Sequence, residues 1–377
     1  MLVDSTIIQH KTDEKSIWFF LSYDLVKQVL KNENGYYTRD FKAISGAPKS
    51  NTVTLPSYFE NHLLNKDGED HLRLRRLVSK AYSAREVSSY ESWINETALN
   101  ILNEHAATNQ RKLEVVNDYA IPLTIMTLSK ILGIPIEDSS HIKKWVNIAI
   151  SPVREPKDLL HFIQQMTLFL GYLNKIVEQK TISPQSDLIS ELIKVENEGD
   201  KLSKDELFSM ILILLISGYE TTAALISSGV YTLLTNQKDL KNKDQDFWKL
   251  AIREIARFDS PVEQMLVRWV TEDIEIENNK LKRGDEVVLV LGSASRDEKK
   301  YSKPDEFKVE ARREYLSFGY GAHFCLGIHL AALESRVALS TLFNEYPNVS
   351  LITQDEERAW GGNNVFRFLK KLEISLD

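Results

Sequence analysis

Apolar residues recur at three- and four-residue spacings along most of the chain. Ser22 to Leu30 (SYDLVKQVL), His71 to Ser83 (HLRLRRLVSKAYS) and Arg85 to Ala107 show the pattern first, and it predicts amphipathic helices. It continues through IPLTIMTLSKIL, SHIKKWVNIAI, PKDLLHFIQQMTLFLGYLNKIVEQK and SDLISELIKVENE. One segment is apolar all round: Met210 to Leu234, MILILLISGYETTAALISSGVYTLL, with a single charge, Glu220, near its centre. A helix apolar on every side is buried, in a large core or in a bilayer. It is preceded by Ser203-Lys-Asp-Glu206, a capping box whose two side chains satisfy orphan amides at a helix start, so an unbroken helix is expected to about Thr235. At 1.5 Å per residue that helix is roughly 45 Å long, the width of a domain.

Period-two alternation is confined to short runs: SIWFFLS near the start, MLVRWVT, DIEIENNKLKRGDEVVLVLGS with an Asn-Asn-Lys turn, and NVSLIT and KKLEISL towards the C-terminus. The expected fold class is therefore mainly α with a smaller β region built from both ends of the chain. No repeat, low-complexity tract or Pro/Gly/Ser linker interrupts the 377 residues, so one domain over 1–377 is expected.

Composition narrows the function. Hydrophobic content of 43% with 27% charged residues describes a globular protein rather than a disordered one. A net charge of −7 argues against general nucleic-acid binding, which needs a basic face. A carboxylate at mid-bilayer depth is costly, and no Lys/Arg asymmetry brackets the apolar segment, so the expectation is a buried core helix and no membrane span. The N-terminal MLVDSTIIQHKTDEKS lacks a basic region followed by an apolar stretch, and no signal or transit peptide is expected. A single cysteine precludes an intramolecular disulfide framework and fits a reducing compartment, the cytoplasm.

That cysteine, Cys325, stands in FGYGAHFCLG ahead of a helical pattern. Near a helix N-terminus, amides and the helix dipole stabilise a thiolate, and glycines 319, 321 and 327 permit unusual backbone angles and close approach of a flat ligand. An inert buried thiol, a nucleophile and a metal ligand all remain open from these residues alone. Structural zinc needs four ligands, and no C-x-x-C or H-E-x-x-H is present. GYGAHF is not a dinucleotide fingerprint, because Phe324 replaces its third glycine. Two further pairs stand out. Glu220-Thr221 sets a carboxylate beside a hydroxyl, with Gly218 leaving room for local helix opening. Glu254 and Arg257, three apart, can form a same-face ion pair.

Taken together, the motifs resemble those of the cytochrome P450 superfamily. Phe318-x-x-Gly321-x-x-x-Cys325-x-Gly327 is similar to its haem-ligand loop, Ser217-Gly-Tyr-Glu220-Thr221-Thr222 to its acid-alcohol segment, Glu254-x-x-Arg257 to its Glu-x-x-Arg helix, and DHLRLRRLVSKAYS to its His-x-x-x-Arg helix. The four occur in the family's order. The resemblance implies the cytochrome P450 fold, with a long central helix over a bound haem b, and Cys325 as its iron ligand. A thiolate axial ligand pushes electron density towards O–O cleavage. By the same resemblance Glu220 and Thr221 manage protons, and His71, Arg75, Arg268 and His323 meet the haem propionates. Phe318 shields the sulfur and Gly327 gives clearance.

The ion pair Glu254–Arg257 is implied to be a buried bridge supporting the cysteine loop, with Arg312 a possible third member because Glu306 occupies the family's usual arginine position. Substrate contacts would come from the regions of Leu55 to His62, Ile150 to His161, Leu214 to Thr222, Val262 to Leu266 and Asn363 to Phe366, which suit an apolar small molecule. Arg73, Arg76 and Lys80 would dock an acidic ferredoxin- or flavodoxin-type electron donor. The implied activity is oxygen-dependent hydroxylation or epoxidation. A peroxide-driven enzyme of the same fold and a non-catalytic haem sensor are the alternatives.

Overall fold

The structure, a computed structural model, describes residues 5–12, 15–41, 44, 59–108, 111–151, 155–195, 202–237, 239–309, 313–352, 360–363 and 365–376. They fall into two compact units. One comprises Met1–Val53, Glu91–Ala120 and Thr221–Asp377; the other comprises Thr54–Tyr90 and Ile121–Glu220.

The first unit carries the expected β region. Its five-stranded sheet runs Ile7–Lys11, Ser16–Phe20, Glu286–Leu289, Arg268–Val270, Tyr37–Thr38 in spatial order. Residues from both ends of the chain meet where Ser16–Phe20 lies parallel to Glu286–Leu289, Trp18 opposite Val287 and Phe20 opposite Leu289. The alternation in SIWFFLS does what a period of two requires, since Trp18 and Phe20 are buried while their neighbours are partly open. The Tyr23–Lys31 helix covers the sheet with Tyr23, Val26 and Val29. It ends at Asn32, which adopts the left-handed conformation (φ 51°) that asparagine tolerates. The expected Asn-Asn-Lys turn falls one residue earlier: Glu277 and Asn278 both have positive φ, the geometry a two-residue hairpin between Ile274–Ile276 and Asn279–Leu281 requires.

Helix Ile328–Glu345 forms the core of this unit and packs on Glu91–Ala107 and Gln245–Phe258. The buried Tyr119 hydroxyl donates to the Ala338 carbonyl at 2.8 Å. The second unit is helical in its regular elements: Gly68–Ser79, Ala84–Ser88, Ile121–Leu132, Ser139–Ile150, Pro156–Ile182, Leu188–Val195 and Lys204–Gly218. The predicted His71 to Ser83 and Arg85 to Ala107 helices are re-cut. Ser83 caps a new short helix by accepting from the Glu86 amide, and the chain bends before Glu91.

The long apolar segment is not one unbroken helix; it opens next to Gly218, the residue expected to leave room for local opening. Its capping box forms as predicted, with the Ser203 amide donating to Glu206 Oε2 at 2.8 Å and the Glu206 amide to Ser203 Oγ at 3.2 Å. The helix is interrupted at Tyr219, however, between Lys204–Gly218 and Glu220–Asn236. Tyr219 keeps helical angles (φ −92°, ψ −45°), so the hydrogen-bond ladder opens without a turn in the chain. The 33 residues are long and apolar enough to cross a membrane, but 67% of the apolar window is buried within the protein, as in a core helix.

Candidate functional site

The cysteine loop is built by backbone hydrogen bonds. The Gly319 amide donates to Leu316 at 2.7 Å, Phe324 to Gly321 at 3.0 Å, and the Cys325 amide reaches back to the Phe318 carbonyl at 2.8 Å. Two residues on, Gly327 caps the Ile328–Glu345 helix. Cys325 is thus held half-buried at a helix N-terminus, where the dipole favours the thiolate. Gly321 sits at φ +72°, and a Cβ there would lie 2.5 Å from the Leu30 carbonyl oxygen. Gly35 has a similar φ of +70° but open space around it.

Gly321→Ala is therefore expected to cost more than Gly35→Ala. The left-handed conformation costs both ~1–2 kcal/mol, and only residue 321 adds a collision with backbone. Urea midpoints of the two variants measure the difference.

Tyr315 stands edge-on to Phe318, ring centroids 5.9 Å apart, with the Arg253 guanidinium over its ring 5.0 Å from the centroid. Burial pushes the Tyr315 hydroxyl upward, Arg253 opposes this, and the Cys325 charge adds to it, so sulfur and phenol lie within electrostatic reach. Ser317 Oγ donates to the Ala256 carbonyl and so fastens the start of the loop to the Gln245–Phe258 helix.

That helix supplies the expected ion pair, buried at 0% and 2% side-chain exposure. Arg257 uses all five of its N–H donors. Nε and one Nη2 hydrogen grip the two Glu254 oxygens at 2.9 and 2.8 Å; Nη1 donates to the Ser295 and Pro304 carbonyls at 2.8 and 2.9 Å; Nη2 also donates to Glu306 at 3.4 Å. Arg312, named as a third member, lies outside the described residues. Its neighbour Arg313 fills that place, donating to Glu254 Oε1 at 3.0 Å and to the Glu306 carbonyl at 2.9 Å. Adjacent arginines cannot be told apart by spacing, so sequence reasoning missed Arg313.

Arg268 opens a strand of the first unit's sheet and is 4% exposed. The Met265 methyl carbon upstream lies 3.8 Å from where a Gly319 Cβ would stand, which brings this strand's lead-in against the cysteine loop. His323 is half-buried within the loop itself. Nothing lies within 4 Å of where a Gly327 Cβ would stand.

In the second unit, His71 and Arg75 share the Gly68–Ser79 helix. Their spacing alone suggests a solvated face, but His71 is 1% exposed and Arg75 half-buried. Arg73 is not available to a partner in the way expected, because it donates to Glu206 at the start of another helix; Arg76 and Lys80 are exposed. Glu220 follows the helix interruption, and its Oε2 is buried without a hydrogen-bond partner among the described residues. Burial pushes its carboxyl up from the ordinary carboxylate range. Thr221 follows directly, half-buried.

These residues fit a haem by their chemistry. In the first unit the loop presents one half-buried thiol with open space at Gly327, and Arg268 is a buried cation of the kind a propionate needs; the second unit by itself offers His71, a buried hydrogen-bonding side chain. Among the described residues no group of three or more His, Cys, Asp or Glu side chains could hold a bare metal ion. Of the proposed substrate-facing stretches, 55–58, 152–154 and 364 lie outside the described residues.

Comparison with known proteins shows the same family as the resemblance. A family profile described as Cytochrome P450 matches residues 5–246 and 243–360. A Bacillus subtilis protein named cytochrome P450 is 36% identical over 363 residues, covering 95% of this chain and 88% of that protein. The vitamin D(3) 25-hydroxylase of Pseudonocardia autotrophica is 31% identical, covering 96% and 88%. Among solved structures, that of the Bacillus subtilis bacillaene polyketide synthase cytochrome P450 PksS superposes with a TM-score of 0.89 at 31% identity, covering 99% of this chain and 94% of that one.

Proposed function

The chain belongs to the cytochrome P450 family of haem-thiolate monooxygenases, and from that premise we propose that it hydroxylates or epoxidises a mostly apolar small molecule. For hydroxylation, a substrate C–H bond, O2, two electrons and two protons give C–OH and water. Thiolate-ligated haem b supplies the oxygen-activating redox chemistry. Cys325 is the iron ligand, and Phe318 shields it. Arg268, His323, His71 and Arg75 are the side chains that would meet the propionates. The chain works as one P450 domain over 1–377 in the cytoplasm. An acidic ferredoxin- or flavodoxin-type donor supplies the electrons, and the exposed Arg76 and Lys80 support such a partner. A relative named as a hydroxylase of vitamin D(3) supports an apolar substrate class.

One observation carries the oxygen-dependent reading over the peroxide-driven and sensor alternatives. A buried carboxyl oxygen of Glu220 has no hydrogen-bond partner among the described residues, beside the Thr221 hydroxyl at an opened helix turn. Such a group costs stability, and groups of this kind cluster at sites where a reaction uses them. A carboxyl with a raised folded pKa binds its proton more tightly folded than unfolded. Its contribution to stability therefore falls as pH rises from the ordinary carboxylate range through the raised value.

Glu220→Gln is accordingly expected to melt higher than the parent at neutral pH and to show no such gain in acid. It should also form far less product per electron pair, since a positioned proton donor is worth ~10²–10⁴ in rate. Thr221→Ala should show the same loss of product with peroxide released instead. Product yield per electron pair unchanged in both variants, with full turnover supported by added peroxide, would favour the peroxide-driven reading.

A further inference from the structure

The residue at the helix interruption, Tyr219, is 1% exposed, and its hydroxyl donates to Asn147 Oδ1. Asn147 belongs to the last turn of the Ser139–Ile150 helix and is itself exposed; its carbonyl accepts from Ser151 Oγ at 2.7 Å. On the preceding residue, a Cβ at Gly218 would stand 2.9 Å from Leu128 Cδ2, so the helix presses against Ile121–Leu132 at that point. One residue earlier still, Ser217 Oγ donates to the Ile213 carbonyl at 2.6 Å, adding a side-chain donor to the carbonyl row where the ladder opens. All of these contacts lie in the second unit. The opened turn is therefore held from two neighbouring helices: Leu128 abuts its glycine and Asn147 fixes its tyrosine.

We propose that Tyr219 is the positioning residue for Glu220, its bond to Asn147 pinning the opened turn and thereby fixing where the carboxyl points. A helix whose ladder is open but whose angles stay helical can close again by small rotations, and closure would turn the next side chain with it. A buried tyrosine hydroxyl needs a partner. Asn147 supplies that acceptor to the open form, so the bond ties the opened turn to a second helix. Burial pushes the Tyr219 hydroxyl far above its ordinary range, with the Glu220 charge adding to the effect. The phenol thus remains a donor while its neighbour lies within electrostatic reach. The proposal rests on Glu220 being a proton-handling group, and its test reads Glu220 itself as well as turnover.

The carboxyl C=O stretch of protonated Glu220, assigned by its loss in Glu220→Gln, reports where that group sits without any turnover. Tyr219→Phe removes only the hydroxyl, Asn147→Leu removes only the acceptor, and Asn147→Asp retains an acceptor oxygen. Both losses should shift and broaden the Glu220 band and lower product per electron pair roughly fivefold, the size of one net hydrogen bond. The double variant should match either single one because both remove the same bond. Asn147→Asp should restore the parent band. An unchanged band in Tyr219→Phe, or additive effects in the double variant, would overturn the proposal. If Tyr219→Phe does not fold, the surface Asn147 variants decide on the same criteria. A shifted band with product yield unmoved even in Glu220→Gln would leave Tyr219 a positioning residue and remove the proton-handling role from Glu220 instead.

Discussion

Arg257→Ala is expected to lower stability by about 3–5 kcal/mol, the cost of breaking a buried ion pair by removing one partner. Four consequences fall on one small region. Glu254 loses its bidentate partner while staying 2% exposed, and the Ser295, Pro304 and Glu306 carbonyls each lose a donor. Those carbonyls belong to the chain that leads from the sheet to the cysteine loop, so the effect should reach haem retention as well as the unfolding midpoint. Arg313 softens the loss, because it still donates to Glu254, but its Nη2 already serves the Ser302 and Lys303 carbonyls at 3.3 and 3.4 Å. Arg257→Lys separates charge from geometry. A lysine keeps the charge but offers three donors on a point, where the guanidinium fills five directions. It should recover only a minor part of the stability. A lysine variant with the parent's urea midpoint would show that charge alone holds this region, against the present account.

Much of the site was legible in the chain because its chemistry is local in sequence. Gly321, Cys325 and Gly327 fix a loop within a few residues, and Glu254 and Arg257 share one helical turn. The long core helix was legible from its unbroken apolar run and its capping box. What escaped was set by distant contacts. Gly218 marked where the long helix could open, but the contacts of the opened turn with Leu128 and Asn147, from helices far along the chain, were not legible. Arg73 reads as part of a basic face until Glu206 of another helix neutralises it. The strands Ile7–Lys11, Tyr37–Thr38 and Lys112–Glu114 exist through pairing with partners and carry little period of their own.

Cys325→Ala is expected to abolish monooxygenation while leaving the fold in place. The loop is fastened by backbone bonds and by Ser317, none of which uses the sulfur, and the substituted position is half-buried, so no large cavity opens. The chain has no second cysteine to take over as ligand. The neighbouring His323 and His329 are imidazoles, which would ligate iron without the electron push of a thiolate. A variant that retains haem should therefore have unchanged secondary structure and a clear loss of oxygen-dependent product. Retained turnover would move the chemistry away from this loop.

The most direct test is the carbon monoxide difference spectrum of the reduced protein, recorded for the parent and for Cys325→Ala side by side. The parent should show the long-wavelength Soret band of thiolate-ligated haem, and the variant should lose it. The same band in Cys325→Ala, or its absence from a haem-loaded parent, would contradict the assignment of Cys325 as the ligand.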